Sequence, residues 1–443
     1  MLIPPQNMKR LRQLAGSWLR WLKPGLGVKR WVLLALAGMT LLSVGLAIFL
    51  LDLYRTESTN PALLDFLSLV SLRFLPRELR ALIFGGLGVG MIATGLLELN
   101  RSLLQPFIRP GRAIVDELTT FRRLNRGPRV VVIGGGHGLA ALLRGLKEHT
   151  HNLTAVVTVA DDGGSSGRLR EGLGILPPGD IRNCLAALSN DEALLTQLFQ
   201  YRFANGGGLE GHSFGNLFLT ALSDITGSFE AAIAESGRVL SVHGRVLPST
   251  LHDVQLVADM QLSHTINEVR VQGESKIPAM AGRVRRVWLE PNDAPAFPPV
   301  VRALLAAELI IVGPGSLYTS LLPNLLVPDV LAAIRASRAL KIFLCNIAAQ
   351  KGETDSYSAY DHLRAVEDHV GEDVFEVVVV NDNHDERLAQ DLEWVRADER
   401  TLADRRVYTA DLVDVSHPWR HDSTKLAETL MDLYLERTGP LEK

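Results

Sequence analysis

Five short segments rich in Gly, Ser, Asp and Asn hold the residue types in this chain best suited to chemistry on an anionic ligand. The first, Gly134-Gly135-Gly136-His137-Gly138, lies between a Val/Ile run and a helical pattern. Glycines allow a tight turn and close backbone approach to a phosphate, and the helix that follows offers unpaired N–H groups and the positive end of its dipole. Leu139 stands where a G-x-G-x-x-G fingerprint needs its third glycine, and no Gly-Lys-Ser/Thr follows, so neither that fingerprint nor a P-loop is present. A plain strand–helix turn needs one or two glycines. Four in five residues point to an anion site, to which Gly135, Gly136, His137 and Gly138 are assigned.

The second segment, Asp161-Asp162-Gly163-Gly164-Ser165-Ser166-Gly167-Arg168, ends another apolar run. An acid there accepts hydrogen bonds from a ribose in dinucleotide folds, and two adjacent acids equally suit a Mg²⁺ ion. Gly164, Ser165 and Arg168, with Arg170 close by, supply backbone donors and cations for a phosphate. The third segment, Leu176 to Asn183, holds Gly179-Asp180-Ile181-Arg182-Asn183, and the fourth is Gly211-His212-Ser213-Phe214-Gly215-Asn216; both open apolar helix patterns. Arg182, Asn183, His212, Ser213 and Asn216 join the candidate ligand set, although residues such as Asn183, Ser213 and Asn216 near helix starts are, taken singly, most often N-caps. His212 beside Ser213 is no nucleophile pair without a Gly-x-Ser-x-Gly elbow. The fifth segment, Gly313-Pro314-Gly315-Ser316, reads as a further phosphate-binding turn through Gly313, Gly315 and Ser316. Asp161, Asp162 and Arg182 are the catalytic candidates, and Asp161 or Asp162 the candidate Mg²⁺ ligand.

These loops need a scaffold that brings them to one edge. From Pro128 onward, uninterrupted Val/Ile runs alternate with helical patterns: RVVVIG, TAVVTVA, ELIIVG, KIFLCN and FEVVVVN each end in one of the polar loops or a similar one. Such runs predict parallel strands covered on both faces, with ligands outside their carboxyl ends. Ser249–Glu290 has shorter alternating runs and predicts a β-rich insertion. No internal repeat or low-complexity linker interrupts residues 128–443, which read as one α/β domain.

The first 127 residues differ. Trp31–Leu51 is uncharged over 21 residues, long enough to span a bilayer, and Ala81–Leu97 is a second uncharged run of 17. Basic residues precede the first run and follow the second, so the pattern predicts a membrane hairpin with both ends in the cytoplasm. Leu63–Pro76 predicts an interfacial amphipathic segment. Residues 1–130 carry 18 Lys/Arg against 7 Asp/Glu, and the remainder 28 against 42. So acidic a body is a poor partner for nucleic acid. The 2 cysteines, Cys184 and Cys345, lie in separate segments without zinc-like spacing, which fits a reducing compartment.

Taken in order, GGGHGLAALLRGLK, TVADDGGSSGRLR, LPPGDIRNCLAALS, LFQYRF, LEGHSFGNLFLTAL, VLPST, GPGSLYTSLLPNLLV and the KGET segment resemble the YvcK-like branch of the CofD superfamily, from about Arg129 to Asn383. That resemblance implies a Rossmann-like α/β/α sandwich with a mostly parallel sheet. The superfamily's founding activity is a Mg²⁺-dependent 2-phospho-L-lactate transferase that uses a guanosine-diphosphate donor. The YvcK-like branch is instead associated with gluconeogenic growth, cell shape and cell-wall precursor balance, and with binding of UDP-N-acetylglucosamine; its members are called gluconeogenesis factors. Two departures stand out: His137 occupies a place where the glycine loop commonly has Thr, and the membrane hairpin is an addition.

The leading expectation is therefore a nucleotide-sugar-binding regulatory protein tethered to the inner face of the membrane. The alternative is a Mg²⁺-dependent transferase acting on a nucleoside-diphosphate-linked substrate, with an Asp161 or Asp162 metal site and with Arg168 and Arg182 neutralising the diphosphate. An NAD-dependent dehydrogenase is disfavoured by the missing glycine. The sequence names no regulatory protein partner and leaves homo-oligomerisation open.

Overall fold

Runs of β-branched residues with no polar interruption are stable only where both faces of the strand are covered, and the chain builds its main sheet from them. The computed structural model describes residues 114–189, 192–205, 207–262, 268–280, 282–389 and 392–439, with isolated positions between 39 and 90. The chain divides into two compact units, residues 1–122 and 123–443. The second holds, in order, β1 (Val130–Gly134), α1 (Gly136–Leu146), β2 (Leu153–Val157), α2 (Gly164–Leu173), α3 (Gly179–Leu188), α4 (Glu192–Gln200), α5 (Phe214–Thr226), α6 (Phe229–Val239) and β3 (Arg245–Pro248). Then come β4 (Gln255–Leu262), β5 (Glu268–Gln272), β6 (Gly282–Glu290), α7 (Pro298–Ala306), β7 (Leu309–Val312), α8 (Pro328–Ala336), β8 (Leu340–Leu344), α9 (Ala359–Val370), β9 (Val377–Asn381), β10 (Val407–Ala410) and α10 (Ser423–Thr438).

The main sheet has seven strands in the order β10-β9-β8-β7-β1-β2-β3, and every neighbouring pair is parallel. From β1 the chain winds outward through β2 and β3, then returns to the other side of β1 at β7 and winds outward through β8, β9 and β10. The order therefore reverses between β1 and β7, the crevice where doubly wound sheets bind ligands. Side chains alternate across the sheet. Val131, Ile133, Ile310, Phe343 and Val378 enter one core, beneath α7, α8 and α9. Val130, Val132, Ile311, Ile342 and Val379 enter the other, beneath α1, α3 and α10. Leu139, Leu142, Leu143 and Leu146, spaced at three and four residues along α1, are fully buried there, each contributing about 1.5–3 kcal/mol. The result is the expected three-layer α/β architecture.

The predicted insertion is a separate three-stranded antiparallel sheet, β5-β4-β6. Its inner face, with Leu256, Ala258, Met260, Val287 and Leu289, completes the first core. The expected membrane hairpin, residues 31–51 and 81–97, and the amphipathic segment 63–76 fall almost wholly outside the described residues. Among the described residues no single helix is long and apolar enough to cross a membrane.

Candidate functional site

Helix N-termini leave N–H groups without intrahelical partners, and most helices satisfy some of them with a side-chain cap. In this chain α5, α6, α9 and α10 do so, with Ser213, Ser228, Ser358 and Asp422. α1, α2 and α3, which follow polar loops at the carboxyl edge of the main sheet, have no cap from their own N-cap residue, whereas α10, whose first residues line the same edge, is capped by Asp422. Gly136 adopts φ +66 with open space where a side chain would stand, and its N–H is taken by the Asp180 carboxylate, which leaves the next N–H groups of the first turn of α1 for a ligand. Gly138 is tightly placed instead: a Cβ there would lie 2.8 Å from the Pro314 carbonyl oxygen, so the loops after β1 and β7 close on each other across the switch point. Asn346 holds the second loop by accepting from the Gly315 N–H at 3.1 Å and donating to the Gly315 carbonyl at 2.8 Å.

A cavity of about 590 Å³ opens here. Of the expected ligand residues, Gly135, Gly136, His137, Gly138, Asn183, Gly315 and Ser316 line it. Arg144, Asn346, Trp419 and Arg420 line it as well. His137 is surrounded by the positive charges of Arg420, Arg182, Arg144 and Arg202; burial first, then these guanidinium groups, hold its pKa below the usual histidine value of 6.5. A helix N-terminus with N–H groups still open beyond Gly136, inside a ring of arginines, suits a polyanion.

Asp161, Asp162, Gly164, Ser165, Arg168, Arg182, His212, Ser213, Asn216 and Gly313 are not among the cavity's lining residues. Most of them form a network that braces it. Arg182 is only 6% exposed and spends both terminal nitrogens internally, on Ser213 Oγ at 2.5 Å and Asn183 Oδ1 at 2.8 Å. Its Nε is buried without a partner, and the side chain braces α3 against α5, so Arg182 is corrected from a phosphate clamp to a strut that adds charge near the cavity. Ser213 also caps α5 through the Asn216 N–H at 3.3 Å. His212 pairs with Ser165, not with its sequence neighbour, at 3.0 Å between Nδ1 and Oγ, and Asn216 donates to the same hydroxyl at 3.0 Å. Arg168 donates to the Glu210 carbonyl at 2.8 Å and Arg170 pairs with Asp253. Gly313, at φ +101, would place a Cβ 2.6 Å from the Leu344 carbonyl oxygen, so its role is to turn the chain. The turn after Gly313-Pro314-Gly315-Ser316 is already occupied by a side chain: buried Glu353 of the KGET segment accepts from the Tyr318 N–H at 3.2 Å and from Thr319 Oγ1 at 2.9 Å.

The two adjacent acids part company. Asp162 Oδ1 accepts from the Ser275 N–H at 2.8 Å, tying the loop to the insertion sheet. Asp161 accepts from the Gly163 N–H at 2.9 Å, and its charge acts on Asp180. Burial, then the charge of Asp161, push Asp180 up to about 6, although its carboxylate accepts from the Gly136 N–H. Burial also raises Asp161. Further out, burial and the charges of Asp161, Glu353 and Asp162 push Glu274 up to about 8. Among the described residues no group of three or more His, Cys, Asp or Glu side chains is arranged to hold a metal. Mg²⁺, however, is commonly held by one or two carboxylates together with ligand phosphates. Asp161 and Asp180 would supply such carboxylates, while Asp162 commits one oxygen to the Ser275 N–H.

Arg144, Asp180, Asn346, Trp419 and Arg420 were not singled out by sequence. Arg144 had a signal: it lies seven residues after His137, two turns along the same face of α1, with small Ala140 and Ala141 between them. Arg420 and Trp419 follow β10, far along the chain, and only the fold brings them to the cavity.

The model of the family described as 2-phospho-L-lactate transferase CofD matches residues 130–429, which covers both the glycine loop and the Arg420 segment. This chain belongs to the CofD family, in its YvcK-like, gluconeogenesis-factor branch. The "Gluconeogenesis factor" of Bacillus subtilis is 43% identical over 325 residues, 71% of this CofD-family chain and 100% of the relative. A relative from Nostoc is 45% identical over 452 residues, 97% of this chain and 95% of its own length. A crystal structure of a UPF0052-family protein from Bacillus halodurans, at 44% identity, covers 69% of this chain and 99% of its own, with a TM-score of 0.64. The shared fold thus corresponds to the α/β body.

Proposed function

We propose that this gluconeogenesis factor binds a nucleotide sugar of the UDP-N-acetylglucosamine type in the switch-point cavity, as a regulatory protein linking carbon metabolism to cell-wall precursor balance and cell shape. One observation carries the reading: the first turn of α1, whose N–H groups after Gly136 have no side-chain cap, lies inside the arginine ring around His137. A diphosphate is the ligand group that uses both features, because its oxygens take several N–H donors and its charge offsets several guanidinium groups. The cavity of about 590 Å³ is large enough for a sugar and a base beside it. The basic N-terminal third and its two uncharged runs support a membrane tether with the body on the cytoplasmic side.

A second reading is a Mg²⁺-dependent transferase on a nucleoside-diphosphate-linked substrate, and the electrostatically coupled carboxyl groups of Asp161 and Asp180 favour it. In that case the ion would shield the diphosphate, while the protein's own residues orient it: the α1 N–H groups bind the oxygens and Arg144 and Arg420 neutralise them. Equilibrium binding of UDP-N-acetylglucosamine to the full chain, with and without EDTA, followed by a search for product, separates the two. Binding that survives EDTA without turnover supports the regulatory reading; a strict Mg²⁺ requirement with product refutes it.

A further inference from the structure

A nucleotide brings a flat aromatic base as well as a diphosphate, and the base needs a partner for its faces. Three cavity-lining residues among those described have aromatic rings: His137, His421 and Trp419. His137 sits within the arginine ring, and His421 is buried, with a ring nitrogen engaged by the backbone of Cys345. His137 and Trp419 are both exposed, and the indole, 42% exposed, offers the larger open ring. The loop that carries it is closed by hydrogen bonds from Asp414 N to the Arg420 carbonyl at 3.0 Å, Arg420 N to the His417 carbonyl at 2.8 Å and Asp422 N to the Leu412 carbonyl at 2.8 Å. The His417 ring lies edge-on to the indole, 5.4 Å between centroids. Arg420, the next residue, belongs to the arginine ring, and its guanidinium lies 5.9 Å from the indole centroid.

We propose that Trp419 is the platform on which the base of the nucleotide ligand stacks, a reading that rests on the nucleotide function proposed above. The hydrogen-bonded loop holds the indole in place before the ligand arrives, so little ordering cost falls on binding. The adjacent arginine fixes the spacing between the base and the diphosphate. Stacking tolerates any base, because every base has a π-face. Trp419 therefore distinguishes nucleotides from base-free diphosphates and does not choose among bases.

The test uses the full chain and two probes, UDP-N-acetylglucosamine and inorganic pyrophosphate, the second lacking a base. Loss of one base–aromatic stack corresponds to about 5- to 150-fold in affinity. Trp419→Ala is expected to weaken UDP-N-acetylglucosamine binding within that range and leave pyrophosphate binding unchanged, while Trp419→Phe keeps most of the nucleotide affinity. An equal loss for both probes, or no loss for the nucleotide, overturns the stack. A native chain that binds pyrophosphate but not UDP-N-acetylglucosamine overturns the nucleotide function, and the stack falls with it. Measuring the native chain first keeps the two failures distinct.

Discussion

Asp180→Asn removes a charge that the unliganded fold tolerates poorly, and the size of the gain follows from the structure. Burial and the neighbouring Asp161 raise Asp180 from 3.8 to about 6. Because the folded value lies above the unfolded one, the carboxyl group adds no penalty below pH 4. The penalty grows as pH rises from 4 to 6 and is complete above 6. The full rise corresponds to about 3 kcal/mol at 1.36 kcal/mol per tenfold change in proton affinity. Asp180 is partly exposed, so solvent screening trims that value, and the amide keeps an acceptor for the Gly136 N–H. A net stabilisation of about 1–2 kcal/mol is expected at pH 7.5, or about 2–3 °C in Tm for a body of this size. Thermal unfolding of the native and variant chains at pH 4, 6 and 8 checks it. A gain that vanishes at pH 4 supports the account; a lower Tm at pH 8, or a gain independent of pH, refutes the reasoning.

Removing either cavity-lining arginine, by Arg144→Ala or Arg420→Ala, should weaken nucleotide-sugar binding by about 1.5–3 kcal/mol while leaving Tm nearly unchanged, as read by calorimetric titration and thermal unfolding. Binding of a metal-free diphosphate should strengthen as pH falls below 6.5, because its negative charge raises both His137, now held low by burial and the arginines, and Asp180; proton uptake on binding, measured in buffers of different ionisation enthalpy, checks the sign. With Mg²⁺ seated on Asp161 and Asp180 the sign would reverse, since the ion expels the Asp180 proton. A reporter fused after Lys443 should behave as cytoplasmic, and activity on the opposite side of the membrane would overturn the hairpin topology.

The parts of the fold legible in the sequence were those under a one-dimensional constraint. β1, β2, β7, β8 and β9 are central or inner strands whose apolar runs are needed on both faces. The edge strands β3 and β10 escaped because they have only four residues each and their burial is incomplete. The β4–β6 sheet was visible because one face is wet, which imposes alternation. In the site, the glycine loop could be read because its geometry needs glycine locally. Pairings across the fold could not. Ser165 meets His212 from 47 residues away, and Arg182 spends its donors on Ser213 and Asn183 because α3 and α5 pack there. Glu353, visible only as a letter in KGET, takes the N–H groups that a phosphate would otherwise have used after Gly315-Ser316.

The central claim is that the start of α1 and the arginine ring together hold a diphosphate, and a crystal structure with UDP-N-acetylglucosamine bound tests it most directly. Diphosphate oxygens are expected on the backbone N–H groups of His137 and Gly138, beside the Asp180–Gly136 hydrogen bond, with Arg144 and Arg420 in contact and the base over Trp419. A diphosphate bound at the loop of residues 163–168 instead, with the α1 turn left bare, would contradict it.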